Sequence, residues 1–221
     1  PIILDAKADI LVFGQAEAAL KALVEALRAG ATINGLRGTS VVVNSIADIP
    51  RALETPSWDE VNSLTDAGRE QFALMFRQYY LNCEPVHGRP VAQRHSHRYV
   101  VVYPPSLTAT TQELDKIYDL PFTHRPHPSY GAARIPCYDM IKDSITTHRG
   151  CYADCAFCAI SAHQGAAVTS RSEKSVLKEI ERLTRDPSFC GTISDLGGPT
   201  ANMYGTHCKL NRYRCPGRNC L

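Results

Sequence analysis

The stretch His148-Arg149-Gly150-Cys151-Tyr152-Ala153-Asp154-Cys155-Ala156-Phe157-Cys158 organises the reading of this chain. Three thiols fall within it at C-x3-C-x2-C spacing, with an aromatic just before the last. Thiolates are soft ligands that select iron–sulfur clusters or zinc. A loop this short can turn three sulfurs toward one point, and no fourth cysteine follows at a close, regular spacing. Three protein ligands on a four-iron cluster leave one iron open to a small molecule. A cluster that only passes electrons normally has four. The competing reading is structural zinc: C-x2-C is a common half-site, and Cys208, Cys215 or Cys220 would complete it.

Outward from the loop, residues 141–147 alternate enough to be a strand feeding it. After it, Ser170 and Glu173 read as a capping box. The helix that follows has Val176, Leu177, Ile180 and Leu183 on one apolar face, and Asp186-Pro187 ends it. Residues 189–194 read as the next strand, with Asp195-Leu196-Gly197-Gly198-Pro199 as its C-terminal loop. Strand, reactive loop, helix, strand, glycine loop is the order of a β/α barrel. So few strands cannot close a barrel. Residues 137–221 therefore read as the incomplete beginning of one, and the natural polypeptide is expected to continue well beyond Leu221. Pro1 is likewise not a natural start.

The first half reads as a separate α/β region. Ile10, Leu11, Val12 and Phe13 end a strand over residues 2–13, which stops at Gly14. Ala16, Ala19, Leu20, Leu23, Val24 and Leu27 recur at helical spacing up to Gly30, and residues 39–43 form another strand. This β-α-β order fits the edge of a doubly wound sheet, so residues 1–49 read as a Rossmann-like N-terminal remnant. No G-x-G-x-x-G is present, which excludes a dinucleotide fingerprint. Residues 50–136 read as a connector and extension. Within it Ser57 caps a helix with Asp59 and Glu60 in its first turn. That helix carries a core stripe of Phe72, Met75, Phe76 and Tyr79 and ends near Cys83. "HGRPVAQRHSHRYVVVYPPS" reads as a solvated turn leading into a strand at 99–103. Thr110 and Glu113 form a capping box for a short helix. "LPFTHRPHPSYGAARIP", rich in proline, reads as an ordered linker packed across a domain boundary.

At 221 residues the chain holds one large domain or two small ones. A formal net charge of +2 argues neither for nor against a polyanionic partner. No apolar run reaches the length of a bilayer span. Nine cysteines, odd in number and clustered, match a disulfide framework poorly. They suggest metal binding in a reducing compartment, the cytoplasm. Cys208, Cys215 and Cys220, with His207 as a fourth donor, form a candidate second metal site. Lys209, Arg212, Arg214 and Arg218 around them leave nucleic acid as a partner that nothing else supports, and most simply they solvate the loop.

C-x3-C-x-aromatic-C resembles the signature of the radical S-adenosylmethionine (SAM) enzymes. "THRGCYADCAFCAISAHQG", "SRSEKSVLKEIERL" and "ISDLGGPTANMYG" resemble the YgiQ family of radical SAM proteins. Upstream, "RYVVVYPP" and "LDKIYDLPFTHRPHPSYGAARIPCYDMIKDSI" look like that family too, so the similarity covers most of the chain. The resemblance implies that Cys151, Cys155 and Cys158 hold a [4Fe-4S] cluster whose open iron chelates SAM. One electron then cleaves the sulfonium C–S bond, giving methionine and a 5′-deoxyadenosyl radical that takes a hydrogen atom from a substrate. It also implies an electron donor of flavodoxin or ferredoxin type and a cobalamin-binding-type domain ahead of the barrel. The His-bearing loop that ligates cobalt is not in these residues, so cobalamin itself is not expected. The glycine loop would receive the SAM amino group, which makes Asp195, Gly197 and Gly198 cofactor-binding candidates. Glycine fits there because a ligand close to the backbone leaves no room for a Cβ; taken alone the segment reads as a tight turn that binds nothing, but following the cysteine loop it reads as the SAM contact. Many members have G-G-E at this place. Pro199 stands at the acidic position, which puts a carboxylate contact there in doubt. Phe157 would shield the cluster or pack near the adenine, and Arg171 would neutralise cluster or carboxylate charge.

Overall fold

The computed structural model describes residues 1–153, 155–198 and 202–207. Residues 1–107 form one unit, and the described residues from 108 onward belong to another. The division falls inside the segment read above as a connector, because the first unit's sheet runs well past residue 49.

In the first unit α1 (Ile2–Asp5) precedes β1 (Ile10–Val12), α2 (Glu17–Arg28), β2 (Thr39–Val43), β3 (Leu53–Thr55), α3 (Trp58–Val61), α4 (Asp66–Asn82), β4 (Val91–His95) and β5 (Arg98–Val102). The strands form one five-stranded sheet in the order β1-β2-β5-β4-β3. Its pairs are antiparallel except β3 with β4. This corrects the Rossmann-like reading of residues 1–49. A doubly wound sheet needs each helix to return the chain to the starting end of the sheet. Here α2 instead leaves it at the end where β1 finished, so β2 runs antiparallel to β1: the Phe13 N–H donates to the Gly38 carbonyl, 2.9 Å away. The sheet is nonetheless part of an α/β chain, as expected.

Period-two alternation places Val41 and Val43 on one face of β2, and Tyr99, Val101 and Tyr103 on the same face along β5. With Ala92 these make the core, and Ile10, Ile46 and Ile49 pack against it. The helices contribute little to it. On α2 only Ala19 is buried, while Leu20, Val24 and Leu27 are exposed. On α4 Phe72 and Phe76 are exposed, and the buried residue is Gly68. Of the α4 stripe read as core, Phe72 and Phe76 are therefore surface, while Met75 and Tyr79 are half-buried. The helix expected from Ser57 is two, α3 and α4, each with its own cap, Ser57 and Thr65. The supposed solvated turn before residue 99 is β4, which makes a hairpin with β5 through Ser96 (φ 55°).

The second unit runs α5 (Thr111–Tyr118), a 3-10 turn (Pro128–Tyr130), α6 (Pro136–Ile141), β6 (Ser144–Thr146), β7 (His148–Arg149), α7 (Ile160–Gln164), β8 (Thr169–Ser170), α8 (Glu173–Thr184) and β9 (Asp195–Gly197). Thr110 caps α5 in the expected capping box with Glu113. The proline-rich segment before α6 is largely exposed rather than packed. α8 is capped by Ser172, whose hydroxyl accepts from the Ser175 N–H, and not by Ser170, which is spent in β8. Its apolar face buries Val176 but leaves Leu177 exposed and takes in Glu179. β6 and β9 pair in parallel, Ser144 with Asp195 and Thr146 with Gly197. The strand expected at 189–194 thus lies a few residues later, on the segment read as the glycine loop.

A candidate metal centre at the cysteine loop

The cysteine stretch leaves the C-terminal end of β6 and returns to β8. β7 and β8 pair antiparallel, His148 with Ser170 and Arg149 with Thr169, and close the neck of the loop. Above that neck the Gly150 N–H donates to Gln164 Oε1 (3.0 Å) and the Cys151 N–H to the Gly165 carbonyl (3.0 Å). Gly150 lies at φ +89°, and a Cβ there would sit 2.1 Å from the Ala167 carbonyl oxygen. Only glycine fits a neck this tight.

Cys151 is buried beneath this closure, Cys158 is half-buried, and Cys155 is exposed. The Cys158 N–H donates to the Cys155 carbonyl (3.0 Å), which folds those two residues into one turn. All three are free thiols. Among the described residues no three His, Cys, Asp or Glu side chains converge as a metal-holding group. The backbone bond to Gly165 draws Cys151 inward, while the turn carries Cys155 outward. Phe157, expected to shield a cluster, is 93% exposed on that outward turn. The donor set nonetheless has the chemistry of a three-thiolate site, on one loop with fixed ends. Cys208, Cys215 and Cys220 lie outside the described residues, as does Pro199; His207 is exposed.

The glycine segment lies beside the neck. Asp195 and Gly197 are ladder residues of β9, and the Gly197 carbonyl accepts from the Thr147 N–H (2.7 Å), which leaves it one further lone pair. Among the described residues a Cβ on Gly197 would meet nothing nearer than Asp195 Oδ1 at 3.7 Å. A Cβ on Gly198 would lie 2.2 Å from His148 Nε2. The tight approach that requires glycine at 198 is therefore made by a buried imidazole.

Arg171 has a role its sequence context did not show. Its side chain is fully buried and pairs with Glu179 on α8. The guanidinium also donates to the Thr146 carbonyl (2.8 Å), the Ser175 carbonyl (3.0 Å) and the Ser175 hydroxyl. It lies 4.2 Å from the centroid of the Tyr118 ring. Arg149 flanks the same tyrosine, its guanidinium 5.1 Å from the centroid and its Nε donating to the hydroxyl (3.2 Å). Arg171 thus ties β6 to α8 and α5 beneath the loop. The signal for this pair was a charged residue, Glu179, on the otherwise apolar stripe of α8. His148 carried no signal beyond its place at the end of a strand.

The family described as radical SAM N-terminal matches residues 1–144. The chain belongs to the radical SAM N-terminal family. The match ends before the cysteine loop, so membership rests on the first unit and the segment after it. A UPF0313 protein of Methanocella arvoryzae is 43% identical over all of this chain and 37% of its own length. UPF0313 proteins of Geobacter sulfurreducens and Fusobacterium nucleatum are 43% and 41% identical, again over all of this chain. The chain spans little more than a third of the length of these curated relatives, 36% and 38% for the latter two. No solved structure matches it. No helix among the described residues of this radical SAM N-terminal chain is long and apolar enough to cross a membrane.

Proposed function

We propose that this chain is part of a radical SAM enzyme, with Cys151, Cys155 and Cys158 as the protein ligands of a [4Fe-4S] cluster. The observation that carries the reading is the placement of two loops. The cysteine loop leaves the C-terminal end of β6, and Gly197 and Gly198 stand at the neighbouring C-terminal end of the parallel strand β9, which is where β/α folds build their sites. When bound, the cluster supplies the electron that cleaves the sulfonium of SAM. The residues present supply the surroundings. The β7–β8 neck, with Gly150 and Cys151 held to Gln164 and Gly165, fixes both ends of the loop. Cys151 gives a buried donor, and Cys155 and Cys158 give donors on one turn. The open side of Gly197 is the seat for the amino-acid end of SAM, with Asp195 next to it. The start of a partial β/α barrel, completed by further strands, an electron donor of flavodoxin or ferredoxin type and cytoplasmic residence belong to the same proposal.

Anaerobic reconstitution of the full-length polypeptide tests it. The expected result is a brown protein with about four irons and four sulfides per chain and 5′-deoxyadenosine formed from SAM and dithionite, as three-thiolate ligation of a cube requires. Cys151→Ala, Cys155→Ala and Cys158→Ala should each abolish that product, and Cys83→Ala should not. A colourless protein holding one zinc per chain would establish the structural-zinc alternative.

A further inference from the structure

We propose that His148 is a positioning residue that sets the glycine end of β9 against the cysteine loop, dividing the work between the two glycines: Gly198 docks on the imidazole, and Gly197 faces the ligand. This deepens the reading above and rests on it. The His148 side chain is wholly buried. Its Nδ1 lies 3.0 Å from the Thr147 hydroxyl, and its backbone is paired with Ser170 in the neck of the loop. The contact with Thr147 orients the ring, and the strand pairing fixes the backbone that carries it. A Cβ built on Gly198 would lie 2.2, 2.4 and 2.6 Å from Nε2, Cε1 and Cδ2, so the ring edge occupies the place a side chain would take. The next residue back differs: the same construction on Gly197 meets only Asp195 Oδ1, 3.7 Å away. Packing among the described residues therefore demands glycine at 198 and leaves it unexplained at 197. An open glycine is what a ligand approaching the backbone requires. His148 also lies three residues before Cys151, and the Thr147 N–H between strand and loop holds the Gly197 carbonyl. One short segment thus touches both halves of the proposed site. Its rigidity sets the distance from the cysteine loop to the seat for the amino and carboxylate groups of SAM.

The test uses the reconstituted full-length protein and the variants Gly197→Ala, Gly198→Ala, His148→Ser and the Gly198→Ala/His148→Ser pair. Iron content, thermal unfolding midpoint and SAM affinity by equilibrium dialysis are measured for each. Gly197→Ala should keep its midpoint and lose SAM affinity by roughly tenfold. Gly198→Ala should lose both, and adding His148→Ser should restore part of each, a coupling of the size seen between touching residues. If the midpoints couple while SAM affinity at a temperature where all variants are folded does not, His148 is only a packing residue and the inference is overturned. It is overturned equally if the two glycine variants behave alike, a comparison that stands even if the His148 variants fail to fold. A wild-type protein that takes up neither cluster nor SAM instead overturns the proposed function itself.

Discussion

Arg171 shows how a charged residue near a reactive loop can belong to the scaffold. Its guanidinium is sealed between Glu179, Ser175, the Thr146 carbonyl and the Tyr118 ring. Arg171→Met would leave the Glu179 carboxylate buried without its partner, at a cost of about 3–5 kcal/mol. Urea denaturation should show that loss, and the Arg171→Met/Glu179→Leu pair should recover most of it. His95 gives a pH dependence to the other unit. Burial holds its imidazole below the ordinary value, so the folded chain favours the neutral ring. The unfolded chain takes up a proton from about pH 6.5 downward. The stability that His95 contributes is therefore complete above that pH and is lost as pH falls toward the lower folded value. Urea midpoints at pH 7.5 and 5.5 should differ in that direction, and His95→Gln should narrow the gap.

At the scale of elements, helical periodicity and burial part company. α2 has a regular apolar stripe, yet Leu20 is 53% and Leu27 62% exposed. A core leucine cut to a small residue costs about 2–5 kcal/mol, whereas surface changes stay within about 0.5 kcal/mol. Leu27→Gln should fall in the second range by chemical denaturation, and Val41→Ala, which removes two buried carbons at about 0.8 kcal/mol each before any cavity cost, should exceed it. Caps were more legible than faces. Ser57 and Thr110 cap the helices they were read to cap, and each closes a capping box, since a cap depends on a hydroxyl and a carboxylate three residues apart. The cap of α8 moved from Ser170 to Ser172 because β8, a pairing with residues far back in the chain, had already taken Ser170. The β6–β9 pairing likewise turned Asp195 and Gly197 from loop residues into ladder residues.

At the scale of the molecule, residues 120–141 are the exposed stretch among those described, with Arg134 in an open segment before α6. Exposed irregular backbone is where proteases cut. Brief trypsin treatment should cleave first after Arg134, because Arg125, also exposed, is followed by Pro126. Mass spectrometry should find a fragment ending at Arg134; a first cut inside the β4–β5 hairpin would contradict the exposure pattern.

The sequence by itself determined the donor chemistry: three thiols on one short loop, a glycine pair downstream, and the β/α order between them. Those are local properties, written in residue type and spacing. Tertiary structure alone decided the antiparallel course of the first sheet, the burial of Arg171 and the packing of His148 on Gly198. Each depends on which distant segment pairs with which, and a one-dimensional pattern does not encode the end of the sheet to which a helix returns its chain.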